Sequence, residues 1–346
     1  MSSRRGAGPA ISVLLPVGAA RATTVEAVHS VLAQSEPDLE LLVIGRDDVQ
    51  ALRERLPDDA RIRLIARRAP GIVGALNTGL QAARGRYVAR MDDDDVADPH
   101  RLAIQRAHLQ AMPVPGLVGA RVRLIDEHGR TEGVGAGSQR YAHWLNELVD
   151  ETAVRESCFV ESPLPHPTWF AERALFERLG GYRDGDFPED HEFVLRAWCA
   201  GVPMSKPEPT LLDWREHPER LTRTDPRYRR EAFITMKARL AASPAAGLGL
   251  DAGRGAWIAG VGRSARRWCD ALLDNAVPVL GFVDLDGPKR RWRKRHRDVI
   301  DYTTLLRCRA DALLIGAVTQ PAARAAVRAW CREQGLVHGR DYLIGD

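Results

Sequence analysis

A short, mostly apolar run, Tyr87-Val88-Ala89-Arg90-Met91, passes without a break into four aspartates, Asp92-Asp93-Asp94-Asp95, and then through Val96-Ala97 to Asp98-Pro99. Four carboxylates at one strand end repel one another and raise each other's pKa, so the fold must bring a cation to them. An aspartate run inside a polar segment reads as a solvated loop. This run instead terminates a strand of the buried type, which points to a binding site at the strand's carboxyl end.

The flanking sequence supplies the architecture for such an end. Ile11–Val17 and Leu39–Ile44 are continuous apolar runs suited to strands covered on both faces. Between them Thr23 and Glu26 have capping-box spacing, and Val25, Val28 and Leu32 form one helical face. Arg61–Ala66 reads as a third strand, Gly71–Ala83 as a second helix and Tyr87–Met91 as a fourth strand. This alternation predicts an α/β fold with an open, mostly parallel sheet and flanking helices, in which ligands gather at the carboxyl ends of strands. Asp98-Pro99 then starts a helix with the apolar positions Leu102, Leu109 and Met112. Gly133–Gly137 reads as a loop, with a helix beginning near Ala142.

A length of 346 residues suggests two or three domains. The five cysteines, Cys158, Cys199, Cys269, Cys308 and Cys331, have neither metal-type nor disulfide-framework spacing, which suits a reducing cytoplasm. Met1–Arg5 has no apolar stretch of leader type, and no run reaches the roughly 20 apolar residues of a membrane span, so the expectation is a soluble protein. The formal charge of +4 is too mild to imply nucleic acid.

Two later stretches carry polar groups in constrained backbone. Pro163-Leu164-Pro165-His166-Pro167 stiffens the chain around His166, which reads equally as a structural histidine or as a neighbour of an acceptor pocket. Gly180-Gly181-Tyr182 leads through a glycine-rich loop to Pro188-Glu189-Asp190 at the start of an apolar helix, Phe193–Cys199. Helix capping alone would explain an isolated acid pair there. Taken with Asp92–Asp95, however, the pair supplies the other half of a glycosyl transfer. A carboxylate cluster holds a divalent cation against a departing diphosphate, and a separate carboxylate takes the acceptor's proton. Hard oxygen ligands suit Mg2+ or Mn2+.

On these segments the chain, from Ile11 to about Arg223, resembles inverting glycosyltransferases of the GT-A type, family 2. Ile11–Val17 is similar to the family's opening strand, Ser30–Gln34 to its first helix end, and Gly74–Leu80 to the segment before the acidic motif. Arg90–Asp95 resembles its D-x-D motif, Gly180–Tyr182 with Pro188–Asp190 its acceptor-side loop, and Trp214–His217 its Arg-x-His element. The resemblance implies that Pro16, Val17, Asp47, Asn77, Arg90, Asp92 and Asp93 bind the nucleotide sugar. It implies that Asp92, Asp94, Asp95 and His217 serve the metal. Asp190 is implied as the general base, with Glu189 as its neighbour. The family carries acids directly after its second strand, where this chain has Gly45-Arg46 before Asp47-Asp48. Either Asp47 contacts the base slightly late, or donor recognition differs.

Residues 1–240 then form the GT-A domain, 241–255 a linker rich in Ala and Gly, and 256–346 a small Rossmann-like module. In that module Gly260-Val261-Gly262-Arg263-Ser264-Ala265 is a G-x-G-x-x-A turn, and Asp284 ends the next strand. Gly260, Gly262 and Asp284 could bind a nucleotide such as NAD(P), although a docking module without redox chemistry is the better reading of a lone glycine motif. The basic run Lys289–Arg297 reads as a solvated loop or as contact with an anionic membrane surface, a lipid-linked sugar or nucleic acid; the membrane reading would put a cytoplasmic protein at the inner face. The leading expectation is a metal-dependent transferase acting on a glycan or lipid-linked hydroxyl. Its rivals are a non-catalytic nucleotide-sugar-binding scaffold and an NAD-dependent sugar oxidoreductase. The absence of any Tyr-x-x-x-Lys spacing counts against the last.

Overall fold

The computed structural model describes residues 8–19, 21–284, 293–308 and 311–345, apart from the side chains of Asp47, Asp48 and Ala51. Met1–Arg5 and the first part of the basic run, Lys289–Trp292, lie outside the described residues. Contacts group the chain into two compact units. The first comprises Met1–Val154, Pro163–Asp184 and Val202–Thr224; the second comprises Arg155–Ser162, Gly185–Gly201 and Asp225–Asp346.

In the first unit β1 (Ile11–Pro16), β2 (Leu39–Gly45), β3 (Ile62–Ala66) and β4 (Tyr87–Arg90) alternate with α1 (Ala22–Leu32) and α2 (Gly71–Ala82). Every residue of β1, β2 and β4 is buried, as strands covered on both faces require. There follow β5 (Val96–Ala97), α3 (Arg101–Ala111), β6 (Leu117–Val118), β7 (Arg121–Ile125), α4 (Ala136–Glu147), β8 (Phe170–Glu172), β9 (Met204–Ser205) and β10 (Thr210–Arg215). The main sheet has the order β3-β2-β1-β4-β8-β6-β9, and β5-β10-β7 form a small second sheet. Strands β1 to β4 are parallel, and β8 runs antiparallel to β4 and β6.

Strand order turns at β1, with β2 and β3 to one side and β4 to the other. The carboxyl ends of β1 and β4 therefore flank the crevice where an open sheet binds its ligand. The amide of Val17 donates to Ile44 O at 2.8 Å and that of Met91 to Leu14 O at 3.0 Å, which fixes both ends. Ile11, Val13, Leu41, Val43, Ala89 and Met91 lie in the core, where Tyr87 stacks on Phe170 at 5.4 Å.

Local chemistry moves some helix starts. The capping box expected of Thr23 and Glu26 is absent: α1 follows Arg21, whose amide donates to Thr24 Oγ1 at 3.1 Å, and Glu26 is used elsewhere. Asp98 Oδ1 accepts from the His100 amide at 2.8 Å, so a tight capped turn precedes the regular helix at Arg101. The helix after Gly133–Gly137 starts at Ala136, six residues before the expected Ala142, because Gly135 serves as its cap and the buried Ala142 and Leu145 give its inner face.

The second unit contains the helices Glu189–Cys199 and Arg230–Ala241 together with a six-stranded sheet. Its strands are β11 (Ala256–Ala259), β12 (Val279–Val283), β13 (Arg293–Lys294), β14 (Arg297–Ile300), β15 (Leu313–Ala317) and β16 (Tyr342–Gly345), in the order β13-β14-β12-β11-β15-β16. All neighbours are parallel except the short edge strand β13. Among the described residues no helix is long and apolar enough to cross a membrane.

Candidate functional site

The four aspartates follow β4 and lead directly into β5. Antiparallel pairing of β5 with β10 matches Val96 to Asp213 and Ala97 to Leu212. Running that register two residues onward sets Arg215 against the acid loop. The Arg215 amide donates to Asp95 Oδ1 at 2.8 Å, and its guanidinium reaches Asp94 O at 2.7 Å, Asp126 O at 3.2 Å, Glu127 O at 3.1 Å and Glu26 Oε2 at 2.7 Å. Two residues on, His217 Nε2 lies 2.7 Å from Asp94 Oδ2. One buried arginine thus ties the loop carbonyls to α1, and the histidine behind it meets the acids.

One oxygen from each of Asp92, Asp94 and Asp95 lies within 4.8 Å of the other two. Asp95 is fully buried, and its Oδ2 has no hydrogen-bond partner among the described residues. Such an orphaned carboxylate oxygen, beside two further carboxylates and an imidazole nitrogen, fits Mg2+ or Mn2+. Asp93 stands apart, with Oδ2 3.4 Å from Thr24 Oγ1. Burial, reinforced by Asp94 and Asp92, pushes Asp93 up to about 7. Burial and the neighbouring acids also raise Asp94 and raise Asp95 well above the usual carboxylate range, with His217 opposing the effect at Asp94. The cluster is therefore short of positive charge as it stands.

Behind the cluster Arg90 is 4 % exposed, with Nη1 2.5 Å from Asp92 Oδ2. Burial opposes its charge, but Asp92 holds the guanidinium more firmly protonated than usual. His166 is also buried: its Nε2 meets the Tyr182 hydroxyl at 3.0 Å, and its ring lies 4.5 Å from that of Trp169. Burial, with Arg90 adding to it, keeps His166 well below its ordinary pKa and so neutral. Asn77, expected at the nucleotide sugar, spends both ends of its amide on the Tyr182 backbone, donating to O at 2.8 Å and accepting from N–H at 2.9 Å. Gly181 makes that clamp feasible, since at φ 67° a Cβ would stand 2.7 Å from Asn77 Oδ1.

In the second unit Glu189 and Asp190 open the helix Glu189–Cys199. The two acids differ in environment: Glu189 is 2 % exposed, while Asp190 is partly exposed. The Tyr228 hydroxyl bridges Glu189 Oε1 and Oε2 at 3.0 and 2.9 Å. Burial and the adjacent Asp190 push Glu189 up to about 7. Nothing in the sequence pattern singled out Tyr228, since a lone tyrosine some forty residues downstream has no characteristic spacing. Arg215 did have a signal, its Arg-x-His element on a strand, but that pattern names the histidine more readily than the arginine.

Known proteins resemble the chain over the segment that holds the acid loop. A family model, Glycosyl transferase family 2, matches residues 12–179. Over that segment the chain is similar to glycosyl transferase family 2. Among curated relatives, the uncharacterized glycosyltransferase EpsJ of Bacillus subtilis is 26% identical over 234 residues, covering 62% of this chain and 63% of that protein. Succinoglycan biosynthesis protein ExoO of Rhizobium meliloti is 38% identical over 120 residues, 30% of this chain and 34% of that protein. An uncharacterized protein of Sinorhizobium fredii, y4gI, is 31% identical over 201 residues, and the chain spans only 20% of its length. Solved structures with similarity include S. aureus TarS in complex with UDP-GlcNAc (16% identity, TM-score 0.49, 78% of this chain and 81% of that one).

Within the matched segment, Pro16 and Val17 end β1 beside β4, and Asp47 opens a short 3-10 helix, Asp47–Leu52. Gly45 has a packing reason of its own, because a Cβ there would meet Val49 Cγ2 at 2.8 Å. The acid loop lies inside the matched segment, whereas His217, Arg215 and the Glu189-Asp190 pair lie beyond it. In the C-terminal sheet Gly260 has φ 107° and packs against Ala317 and Val318, Gly262 caps the helix Arg263–Asp274, and Asp284 follows β12.

Proposed function

We propose that this chain is a metal-dependent inverting glycosyltransferase that moves a sugar from a nucleoside diphosphate donor to a hydroxyl of a glycan or related acceptor. The observation that carries the reading is the acid loop at the carboxyl end of β4, where three carboxylates converge and His217 lies on Asp94. Asp92, Asp94, Asp95 and His217 would hold Mg2+ or Mn2+, which when bound neutralises charge developing on the departing diphosphate. Asp190 takes the proton of the acceptor hydroxyl. The acceptor oxygen bonds to the anomeric carbon on the face opposite the diphosphate, whose bond to that carbon breaks, so configuration inverts. Two facts support Asp190 over Glu189 as the base: Glu189 is the buried member of the pair, and its carboxyl is already engaged by Tyr228. The names of the relatives, which include succinoglycan and O-antigen biosynthesis proteins, support a surface polysaccharide as the acceptor class.

The first experiment is a screen of nucleotide sugars for Mn2+-dependent thermal stabilisation, since a ligand that binds only the folded state raises the melting temperature. At least one donor is expected to do so with metal and not without it. Failure of every donor under both conditions contradicts the assignment.

The basic run supports a second element of the proposal, peripheral contact with an anionic membrane surface. Its described part is the hairpin β13–β14, which carries Arg293, Lys294, Arg295 and Arg297, with two of these charges paired to Asp298 and Asp270. Sedimentation with phosphatidylserine vesicles should fall steeply as salt rises. Absent or salt-insensitive binding ends that part of the reading.

A further inference from the structure

The segment Asp225-Pro226-Arg227-Tyr228 is a small device locked on itself. Asp225 Oδ1 accepts from the Arg227 amide at 2.9 Å, and the Arg227 guanidinium folds back onto the same carboxylate, with Nη2 2.8 Å from Oδ2. Pro226 sits at the first position of the 3-10 turn, where its fixed φ suits the turn and its missing N–H costs nothing. The turn leads into the helix Arg230–Ala241, which packs against the helix Glu189–Cys199. From this frame the Tyr228 hydroxyl reaches both carboxylate oxygens of Glu189.

A cap for the helix start does not require this arrangement. Glu189 needs no tyrosine to complement a helix dipole, and an exposed acid would do so without the cost of burial. What the contact achieves is a division of labour between adjacent acids. One carboxyl is buried and held on a phenol, and the other remains partly exposed. The charged and titratable groups that act on Glu189 are Asp190 on its own helix and, from the packed turn, Tyr228 and Arg227.

We propose that Tyr228, carried by the self-locked Asp225–Arg227 turn, is a positioning residue for the acid pair: it fixes Glu189 as a buried support, so that Asp190 alone is offered to the acceptor hydroxyl. The inference rests on the reading of Asp190 as the base. As pH rises, Glu189 gains its charge beside Asp190 and makes it the stronger base, and the phenol sets where that happens by donating to the ionised carboxylate.

The test is carboxyl titration by 13C NMR of the full chain, set beside the pH dependence of kcat with the donor found by the screen. Tyr228→Phe removes only the hydroxyl. It is expected to raise the Glu189 midpoint from about 7 by about one unit and to carry the acidic limb of kcat upward with it, with KM little changed. Glu189→Gln, which keeps the shape, should lower the rate and remove the part of that limb that follows Glu189, leaving only the limb set by Asp190 itself, which Tyr228→Phe then no longer moves. An unmoved Glu189 midpoint in Tyr228→Phe overturns the proposal. So does a moved midpoint with an unmoved kcat profile, because the contact would then be structural only. If the wild-type chain turns over no donor, the transferase reading fails, and the Glu189 titration alone decides whether Tyr228 controls that carboxyl.

Discussion

Asp94 is the residue on which the proposed metal site turns, because it alone among the clustered acids touches His217. Asp94→Asn should abolish Mn2+-dependent stabilisation, and His217→Gln should weaken Mn2+ by about tenfold or more, both read by calorimetry. Protonation gives an independent check. Asp93 and Glu189 have folded-state values raised to about 7, so their contribution to stability is full below the ordinary carboxylate pKa of about 4 and is lost as pH rises through about 7. The metal-free melting temperature should therefore fall between about pH 5 and 7.5. Mn2+ should restore more at the upper end, and Asp93→Asn should flatten part of the slope.

At the scale of elements, the β5–β10 pairing delivers Arg215 and His217 to the loop. Arg215 is 4 % exposed and spreads over three carbonyls and Glu26, so Arg215→Met leaves buried acceptors unmet and should cost about 2–3 kcal/mol in urea unfolding. Gly181→Ala should cost about 1–2 kcal/mol through its positive φ and its collision with Asn77.

The same elements show what was legible in the sequence. β1, β2 and β4 were plain because strands buried on both faces are written as unbroken apolar runs, and the acid loop stood out because it ends one of them. The two residues of β5 carry too little sequence for any periodicity, so the pairing that recruits Arg215 left no trace. Glu26 looked like a capping residue because its spacing from Thr23 was right. A long-range ion pair with Arg215 claimed it instead, and such a partner 189 positions away is invisible to local pattern. The helix at Ala136 was hidden by the glycines that cap it.

For the molecule as a whole, the family 2 match ends at residue 179, and the C-terminal sheet lies entirely outside it. The chain also spans only part of the length of several relatives, so the activity of the whole protein is a proposal built on its acids. In the proposed reaction one set of carboxylates serves the donor and Asp190 serves the acceptor. The direct measurement is release of nucleoside diphosphate, from a donor that stabilises the protein with Mn2+, by the wild-type chain and by Asp190→Asn in the presence of acceptor. Asp190→Asn should keep donor affinity within about twofold of wild type, with turnover reduced by about 10²–10⁴-fold. Turnover by Asp190→Asn at the wild-type rate would contradict that role.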